Sequence, residues 1–470
     1  MTEVKDATIY ITGYEWGPGV SKVIVSFTKP VEKVSKEGAS IRTDKKDREI
    51  KAIYLSNARG DQVNESSAYV TLELDIVFDM EVNCNPFYYN LQTFKNEWAK
   101  EYIVKAEFKV ISEGKDTLIK LEKDCINNRI CPDTELFSNR GIFSGKYQNP
   151  ITKKEDMLSL RYAAYEPKEL KEDNAKNPLI IWINGGGEGG LDIDIALLGN
   201  KVTALAGPKI QSYFTSENGA KGIYVLAIQT PTLWMDGGND QFHNGDFDSR
   251  YSGIFMDLLK DYLSKNPDVD QNRIYIGGCS NGGFMSLNMV ISHPDFFAAS
   301  YHICEIYAYN YFQRDEKGDY IQDKNNSEIL TAKIPTDKRY FTDEKMNSIK
   351  DSPMWFIQSD NDGTVVPKLF SFPSYRQLLK LGGKNIWYSY FKTVEGTDMP
   401  GEDYNGHWSW VYFFNDQVTR VQNRDKIKNS TDNEKFGFEP KNEGGGSEKA
   451  VDDKGTYDSI FAWLNAQVKH

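Results

Sequence analysis

The sequence predicts a β-sandwich followed by a larger, doubly wound, mostly parallel α/β sheet. Three observations carry this expectation. Segments with period-two alternation fill the first third, with no helix-like stretch between them. From Leu158 onward, short and continuously apolar runs alternate with helix-like segments, as strands do when both faces of a parallel sheet are covered. One of those runs, Arg273-Ile-Tyr-Ile-Gly277-Gly278-Cys279-Ser280-Asn281-Gly282-Gly283, stops at glycines and passes straight into a helical stretch.

Residues 1–140 read as the β-sandwich, Ig-like in shape. Ala7–Thr12 and Lys22–Phe27 are predicted strands, with a turn signal in Trp16-Gly-Pro-Gly-Val20 between them. Val70, Leu72, Leu74 and Ile76 alternate with Thr71, Glu73 and Asp75, and Val104, Ala106, Phe108 and Val110 alternate with Lys105, Glu107 and Lys109. Such alternation marks half-buried strands with one wet face. Several of them without helices between give a sandwich of roughly 100–130 residues. No Cys-Trp-Cys framework accompanies them, so the Ig-like reading rests on shape. No catalytic spacing occurs here, and the region is expected to be a structural or binding module. Tyr14, Trp16, Phe87, Tyr88 and Tyr89 are assigned to core or interface packing before an aromatic contact patch.

Residues 141–470 read as the α/β domain. Ser159–Tyr165 leads in, followed by buried strands at Leu179–Ile183, Ile223–Ile228, Ile274–Ile276, Met354–Ile357 and Ile386–Phe391. Helices are predicted over Ser252–Ser264, Gly283–His293, Ser374–Leu381 and Ser459–Val468. The charged stretch Asn423–Lys454, with Gly444-Gly-Gly446 inside it, reads as a flexible surface excursion. Sheets of this kind carry their chemistry at the carboxyl ends of the strands.

With 56 Lys and Arg against 68 Asp and Glu, the net charge is -12. That argues against nucleic acid and anionic membranes as partners. No apolar run approaches the roughly 20 residues of a membrane span. The opening Met1-Thr-Glu-Val-Lys-Asp has no apolar signal core, whereas 27 Tyr, 25 Phe and 9 Trp suit a secreted, polymer-degrading protein. The expected location is secreted or cell-surface, otherwise cytoplasmic. Cys84, Cys125, Cys131, Cys279 and Cys304 form no Cys-x-x-Cys pair, so no zinc or redox motif is expected. Cys125 and Cys131 are close enough in sequence to bridge in an oxidising compartment, and two free thiols are the other reading. Cys279 reads as a small packing residue.

Within the glycine-flanked run, Gly278-Cys-Ser280-Asn-Gly282 matches Gly-x-Ser-x-Gly, a sharp strand-to-helix turn that lifts a serine hydroxyl clear of the backbone. A serine nucleophile needs a base. Of the five histidines, His243 precedes the serine. His293 lies at the far end of the following helix, about 18 Å away by helical rise. His302 comes too soon to leave room for an acid strand, and His470 is the last residue. His407, in Asn405-Gly-His407-Trp-Ser-Trp, is left as the base. The acid is expected at a strand end between them, where Ser359-Asp360-Asn-Asp362-Gly-Thr-Val-Val-Pro367 offers two carboxylates. The Asp-x-x-Val-Val-Pro form favours Asp362, with Asp360 serving the turn; Glu395 and Asp398 sit in a loop. The loop Asn184-Gly185-Gly186-Gly187-Glu188-Gly189-Gly190 follows an early strand. With the N–H of Asn281, its Gly186 N–H is the expected oxyanion donor. Neither Gly-x-x-x-x-Gly-Lys-Ser/Thr nor a dinucleotide fingerprint is present, which leaves no nucleotide role.

Those motifs, together with His293-Pro-Asp-Phe-Phe-Ala-Ala and Gly406-His-Trp, make residues 142–470 resemble an α/β-hydrolase of the esterase and prolyl-oligopeptidase-like superfamily. The whole chain is similar in layout to secreted esterases with an N-terminal Ig-like domain. The resemblance implies Ser280, Asp362 and His407 as a triad and carboxylic ester hydrolysis as the chemistry. Asn184 stands where the family's oxyanion loop has His, a bracing position, so hydrolysis is expected to survive the change. No β-propeller is present, which speaks against a true prolyl oligopeptidase. A peptidase using the same triad, a polyester or plant-wall ester hydrolase docked by its β domain, and a non-catalytic binding protein on the same fold are the competing readings. Trp234 and Trp408 are candidate pocket walls, with packing the alternative for at least one. No cofactor and no metal are expected; the acidic Asp236-Gly-Gly-Asn-Asp240 reads as a solvated loop before a calcium site. The expected partner is a small-molecule or polymeric ester.

Overall fold

Two hydrophobic periodicities give two compact units. The computed structural model describes residues 2–78, 84–150, 153–236, 249–307, 310–316, 320–325 and 333–469. One unit holds Met1–Gln92, Asn96–Leu136 and Leu198–Thr203; the other holds Thr93–Lys95, Phe137–Leu197 and Ala204–His470.

The first unit is an Ig-like β-sandwich. One sheet runs in the order Arg129–Ile130, Val4–Tyr14, Gly17–Val31, Ser67–Leu74, Ile50–Ser56, and the other in the order Lys115–Asp124, Ile103–Ser112, Lys33–Thr43, Lys46–Arg48. Alternation is visible on Ile103–Ser112, where Val104, Ala106, Phe108 and Val110 are buried and Lys105 and Lys109 are exposed. Ile9, Val23, Leu72 and Leu121 belong to the same core, and Phe27 meets Phe108 edge-on with centroids 6.4 Å apart. The first turn is tighter than Trp16–Val20. It occupies Glu15 and Trp16, and Gly17–Val20 already pair in the second strand. The reason is steric. A side-chain carbon on Gly19 would lie 2.7 Å from the Tyr14 ring, so glycine is there to let that ring lie against the strand. Ile76 falls beyond the strand end at Leu74 and is 45% exposed. Trp16 is buried and stacked on Tyr14.

The second unit is built on eight strands: β1 (Asn139–Gln148), β2 (Glu155–Tyr165), β3 (Asn177–Ile183), β4 (Tyr224–Gln229), β5 (Val269–Cys279), β6 (Ala299–Ile303), β7 (Met354–Ser359) and β8 (Ile386–Phe391). Their order is β1-β2-β4-β3-β5-β6-β7-β8. β1 and β2 join antiparallel, and β3 to β8 run parallel. Every residue of β3, β4, β6, β7 and β8 is buried, which is why the runs at Leu179–Ile183, Tyr224–Ile228 and Met354–Ile357 are continuously apolar in sequence, whereas β6 buries Ser300 and His302 as a hydrogen-bonded pair. The helices α1 (Ser252–Lys265), α2 (Asn281–Ser292), α3 (Ser371–Lys380) and α4 (Ile460–Ala466) cover the sheet. Trp463 of α4 packs edge-on against Trp355 of β7 at 5.3 Å. In mid-sheet Tyr301 stacks on Phe413 at 4.7 Å and donates its hydroxyl to Ile181 O at 2.8 Å. Ala299–Ile303, the run containing His302, is itself a strand, seated between β5 and β7.

The triple glycine is not a flexible excursion. Gly444, Gly445 and Gly446 are buried. Gly445 O accepts from Tyr390 N at 2.7 Å and from Gln422 Nε2 at 2.9 Å. A side-chain carbon on Gly445 would come 2.7 Å from Ser389 Cβ. The glycines therefore fasten this segment to the edge of β8. Composition alone points to a linker because it carries no trace of that close approach. All five cysteines are free. Among the described residues, no helix is long and apolar enough to cross a membrane.

Candidate active site

The carboxyl ends of the parallel strands bring the predicted residues into one neighbourhood. Ser280 follows β5 and caps α2 with φ 55° and ψ -118°. A non-glycine residue held there costs about 1–3 kcal/mol and persists only where its surroundings impose it. They do so on both sides. Ser280 N donates to Ile303 O at 2.9 Å, and Ser280 O accepts from Phe284 N at 2.9 Å. Side-chain carbons on Gly278 and Gly282 would fall 2.3 Å and 2.2 Å from Ile183 O. The glycines thus let the elbow press against the end of β3, and Ser280 remains partly exposed among buried neighbours.

The loop after β3 carries the glycine run, with a 3₁₀ turn over Gly186–Glu188. Asn184 braces it from inside. Its Nδ2 donates to Gly185 O at 2.6 Å, and its Oδ1 accepts from Thr230 N at 3.2 Å and Trp234 Nε1 at 3.1 Å. Asn281 Oδ1 accepts from Trp234 N at 2.5 Å. A side-chain carbon on Gly186 would stand 3.9 Å from Asn281 Cβ, so these two backbones border the same space. Trp234 itself has no exposed surface and is held edge-on by Tyr251 and Phe255. It is a brace between loop and elbow and lines no open pocket, in contrast to the sequence expectation. Trp408 is half-buried beside Trp410. Asn184→Ala removes an acceptor from a buried N–H, so ester turnover should fall about tenfold through loop displacement, and unfolding should be about 1–3 kcal/mol easier. Steady-state kinetics and thermal melts of the same preparation read both.

Asp362 lies three residues past β7. Its Oδ1 accepts from Thr364 N at 2.9 Å and Val365 N at 2.8 Å, and its Oδ2 accepts from Gln358 Nε2 at 2.8 Å. The same Oδ2 is 2.9 Å from His407 Nδ1. Asp360 is turned elsewhere, accepting from the Tyr390 hydroxyl. The two loops are locked together, because Ser359 Oγ donates to Gly406 O and a side-chain carbon on Gly406 would meet Asn361 O at 2.2 Å. His407 N donates to Asn405 Oδ1 at 2.9 Å, and the imidazole stands edge-on to Trp410. The His407 side chain is 12% exposed and that of Asp362 fully covered. Burial works against charge on the imidazole, yet Asp362 and Cys304 beside it outweigh burial and hold its pKa well above the usual histidine range.

Cys304 is the residue that sequence reasoning left out. It follows β6 with φ 39°, and its N–H donates to Ile357 O at 2.8 Å. Its thiol, a carboxylate oxygen of Asp362 and a ring nitrogen of His407 all lie within 4.8 Å of one another. The thiol also borders the backbone N–H of Ser280, and burial pushes its pKa up although His407 pulls it down. Ser280 and His407 therefore flank one side chain; among the described residues no hydrogen bond joins the Ser280 hydroxyl to the imidazole. Such contacts commonly tighten only when substrate is bound. The other histidines stand apart. His302 is wholly buried, bonded to Ser286 at 2.8 Å and Ser300 at 2.9 Å, and burial lowers its pKa to about 3. His293 caps the far end of α2. His243, His470 and Asp240 lie outside the described residues. Asp236 itself is buried and paired with Arg250 at 2.8 Å, which fits a structural anchor.

Strand order, elbow and the Asp362–His407 pair define an α/β-hydrolase preceded by an Ig-like β domain. Residues 6–118 match the esterase Ig-like N-terminal domain, and residues 253–393 match the prolyl oligopeptidase family. The chain is an enzyme of the hydrolase kind, with one region similar to each of these two domains. Among solved structures, the crystal structure of a thermostable esterase is similar at 20% identity and TM-score 0.62, covering 88% of this chain and 97% of that one. The Pyrococcus horikoshii acylaminoacyl peptidase is 15% identical over 83% of this chain and 51% of its own, with TM-score 0.35. A search of curated proteins finds no match.

Proposed function

We propose that this protein is a serine esterase that cleaves carboxylic esters through Ser280, His407 and Asp362. The observation that carries the reading is the strained Ser280 elbow beside a 2.9 Å pair between His407 Nδ1 and Asp362 Oδ2. Asp362 accepts a hydrogen bond from Nδ1–H and fixes the tautomer, which leaves Nε2 to take a proton from Ser280. Ser280 Oγ attacks the ester carbonyl. The backbone N–H groups of Gly186 and Asn281 receive the developing oxyanion, for which donors positioned in advance are worth about 3 kcal/mol each. His407 then protonates the leaving alcohol, and a water activated by the same imidazole frees the acyl group from Ser280.

A fluorophosphonate probe tests this directly. It is expected to label the wild-type protein stoichiometrically, with the adduct mapped to Ser280, and to leave Ser280→Ala unlabelled. Labelling at another residue, or equal labelling of the variant, sinks the assignment. The match of residues 253–393 to the prolyl oligopeptidase family supports peptide hydrolysis as the second reading. A panel pairing each short acyl ester with the amide of the same acyl group separates the two. The esterase reading requires the larger kcat/KM on the ester side across the panel.

A further inference from the structure

We propose that Cys304, Asp362 and His407 form a binding site for a soft divalent cation of the zinc type, and that occupancy switches the enzyme off. The three side chains come from three separate segments: the end of β6, the loop after β7, and the loop that Ser359 ties to it. Their donor atoms already lie within 4.8 Å of one another. Tetrahedral zinc with bonds of about 2.0–2.3 Å places its ligand atoms roughly 3.3–3.7 Å apart. Asp362 Oδ2 and His407 Nδ1 are already 2.9 Å apart, so the remaining approach is left to rotation of the Cys304 side chain. The backbones of Cys304 and His407 are pinned, by Ile357 O and Asn405 Oδ1, and the Asp362 carboxylate is held through its other oxygen by the Thr364 and Val365 N–H groups, which keeps Oδ2 toward His407.

The chemistry selects the ion. Thiolate with imidazole favours zinc or cadmium, whereas calcium and magnesium require all-oxygen shells. Charge balances as well: a divalent cation with one thiolate and one carboxylate is neutral, which suits a site where Cys304 and Asp362 are covered. On binding, the sulfur–hydrogen bond of Cys304 is replaced by a sulfur–metal bond and the proton leaves to solvent. The imidazole lends the lone pair of one nitrogen, any proton on that nitrogen leaving to solvent, and keeps its proton on the other. Three protein donors leave a fourth position for water. The partly exposed His407 edge is the way in.

Inhibition rests on the proposed role of His407 as base, because an imidazole committed to a metal cannot take the Ser280 proton. Binding does not rest on that role, so the test separates the two. In a Cys131→Ser, Ser280→Ala background, which removes the half-exposed thiol and the proposed nucleophile, cobalt(II) is titrated and the near-ultraviolet thiolate-to-cobalt charge-transfer band is followed. The band is expected to saturate at one cobalt per chain. It should vanish when Cys304→Ser or Cys304→Ala is added, and should need at least tenfold more cobalt when His407→Ala is added, with melting curves confirming folded protein. In turnover assays of the Cys131→Ser enzyme, the zinc concentration for half-inhibition should rise at least tenfold with Cys304→Ala, relative to that variant's own uninhibited rate. No charge-transfer band at millimolar cobalt, or one that persists without Cys304, overturns the site. A normal band with no zinc inhibition overturns the switch.

Discussion

Ser280→Ala, His407→Ala and the double variant should each lower kcat for a short p-nitrophenyl ester by about 10^6-fold, and not by the product of two separate losses. In the proposed mechanism the nucleophile and its base act as one unit. Once the proton acceptor is gone, the Ser280 hydroxyl is as inert as the missing one, so the second deletion removes nothing further. What survives is the contribution of the Gly186 and Asn281 N–H groups together with substrate binding. Asp362→Asn should lie between, at about 10^4-fold, because the amide holds the imidazole in the wrong tautomer without moving it. Single-turnover kinetics on rigorously separated preparations distinguish these levels. Losses that multiply in the double variant would mean that Ser280 and His407 do not work as a pair. Wild-type turnover in Ser280→Ala would end the proposal.

How far this could be read from sequence depends on whether a residue's role leaves a local trace. The elbow does, because Gly278 and Gly282 must be glycine for Ser280 to sit against Ile183. Strands β3, β4, β7 and β8 are legible because burial on both faces makes them apolar throughout. Choosing Asp362 over Asp360 rested on the Asp-x-x-Val-Val-Pro form, and in the structure the two carboxylates have different partners, His407 and Tyr390. Cys304 leaves no such trace. Its meeting with His407 depends on β6 lying between β5 and β7 and on a left-handed residue at the strand end, both long-range facts. Gly444–Gly446 mislead for the opposite reason: the same composition serves a flexible linker and a backbone pressed against Ser389. Trp234 reads as a pocket wall because a tryptophan just past a strand end has the right address. Only the hydrogen bonds to Asn184 and Asn281 reveal it as a brace.

The elbow and the start of the glycine loop after β3 meet at Gly282, where the second large effect is expected. A side-chain carbon there would fall 2.2 Å from Ile183 O and 2.6 Å from Asn184 O, both backbone atoms that no rotamer change can move. Gly282→Val must therefore push α2 away from the end of β3 by about 1 Å. Overpacking of this sort costs about 3 kcal/mol, and thermal unfolding should show it as a clear drop in Tm. The functional loss should be larger than stability alone explains. Ser280 rides on the same helix start, and Asn184 holds the Gly186 loop, so a shift of about 1 Å misplaces nucleophile and oxyanion donors together and costs about 10^2-fold or more in kcat. Gly363→Ala is the matched control: it stands next to Asp362 with nothing within 4 Å of an added carbon, and its effect on stability should stay within about 0.5 kcal/mol. Assays well below the melting point of each variant separate misplacement from unfolding. If Gly282→Val kept wild-type kcat in its folded fraction, the elbow and the oxyanion loop would not be mechanically coupled, and the catalytic geometry would have to be held by some other contact.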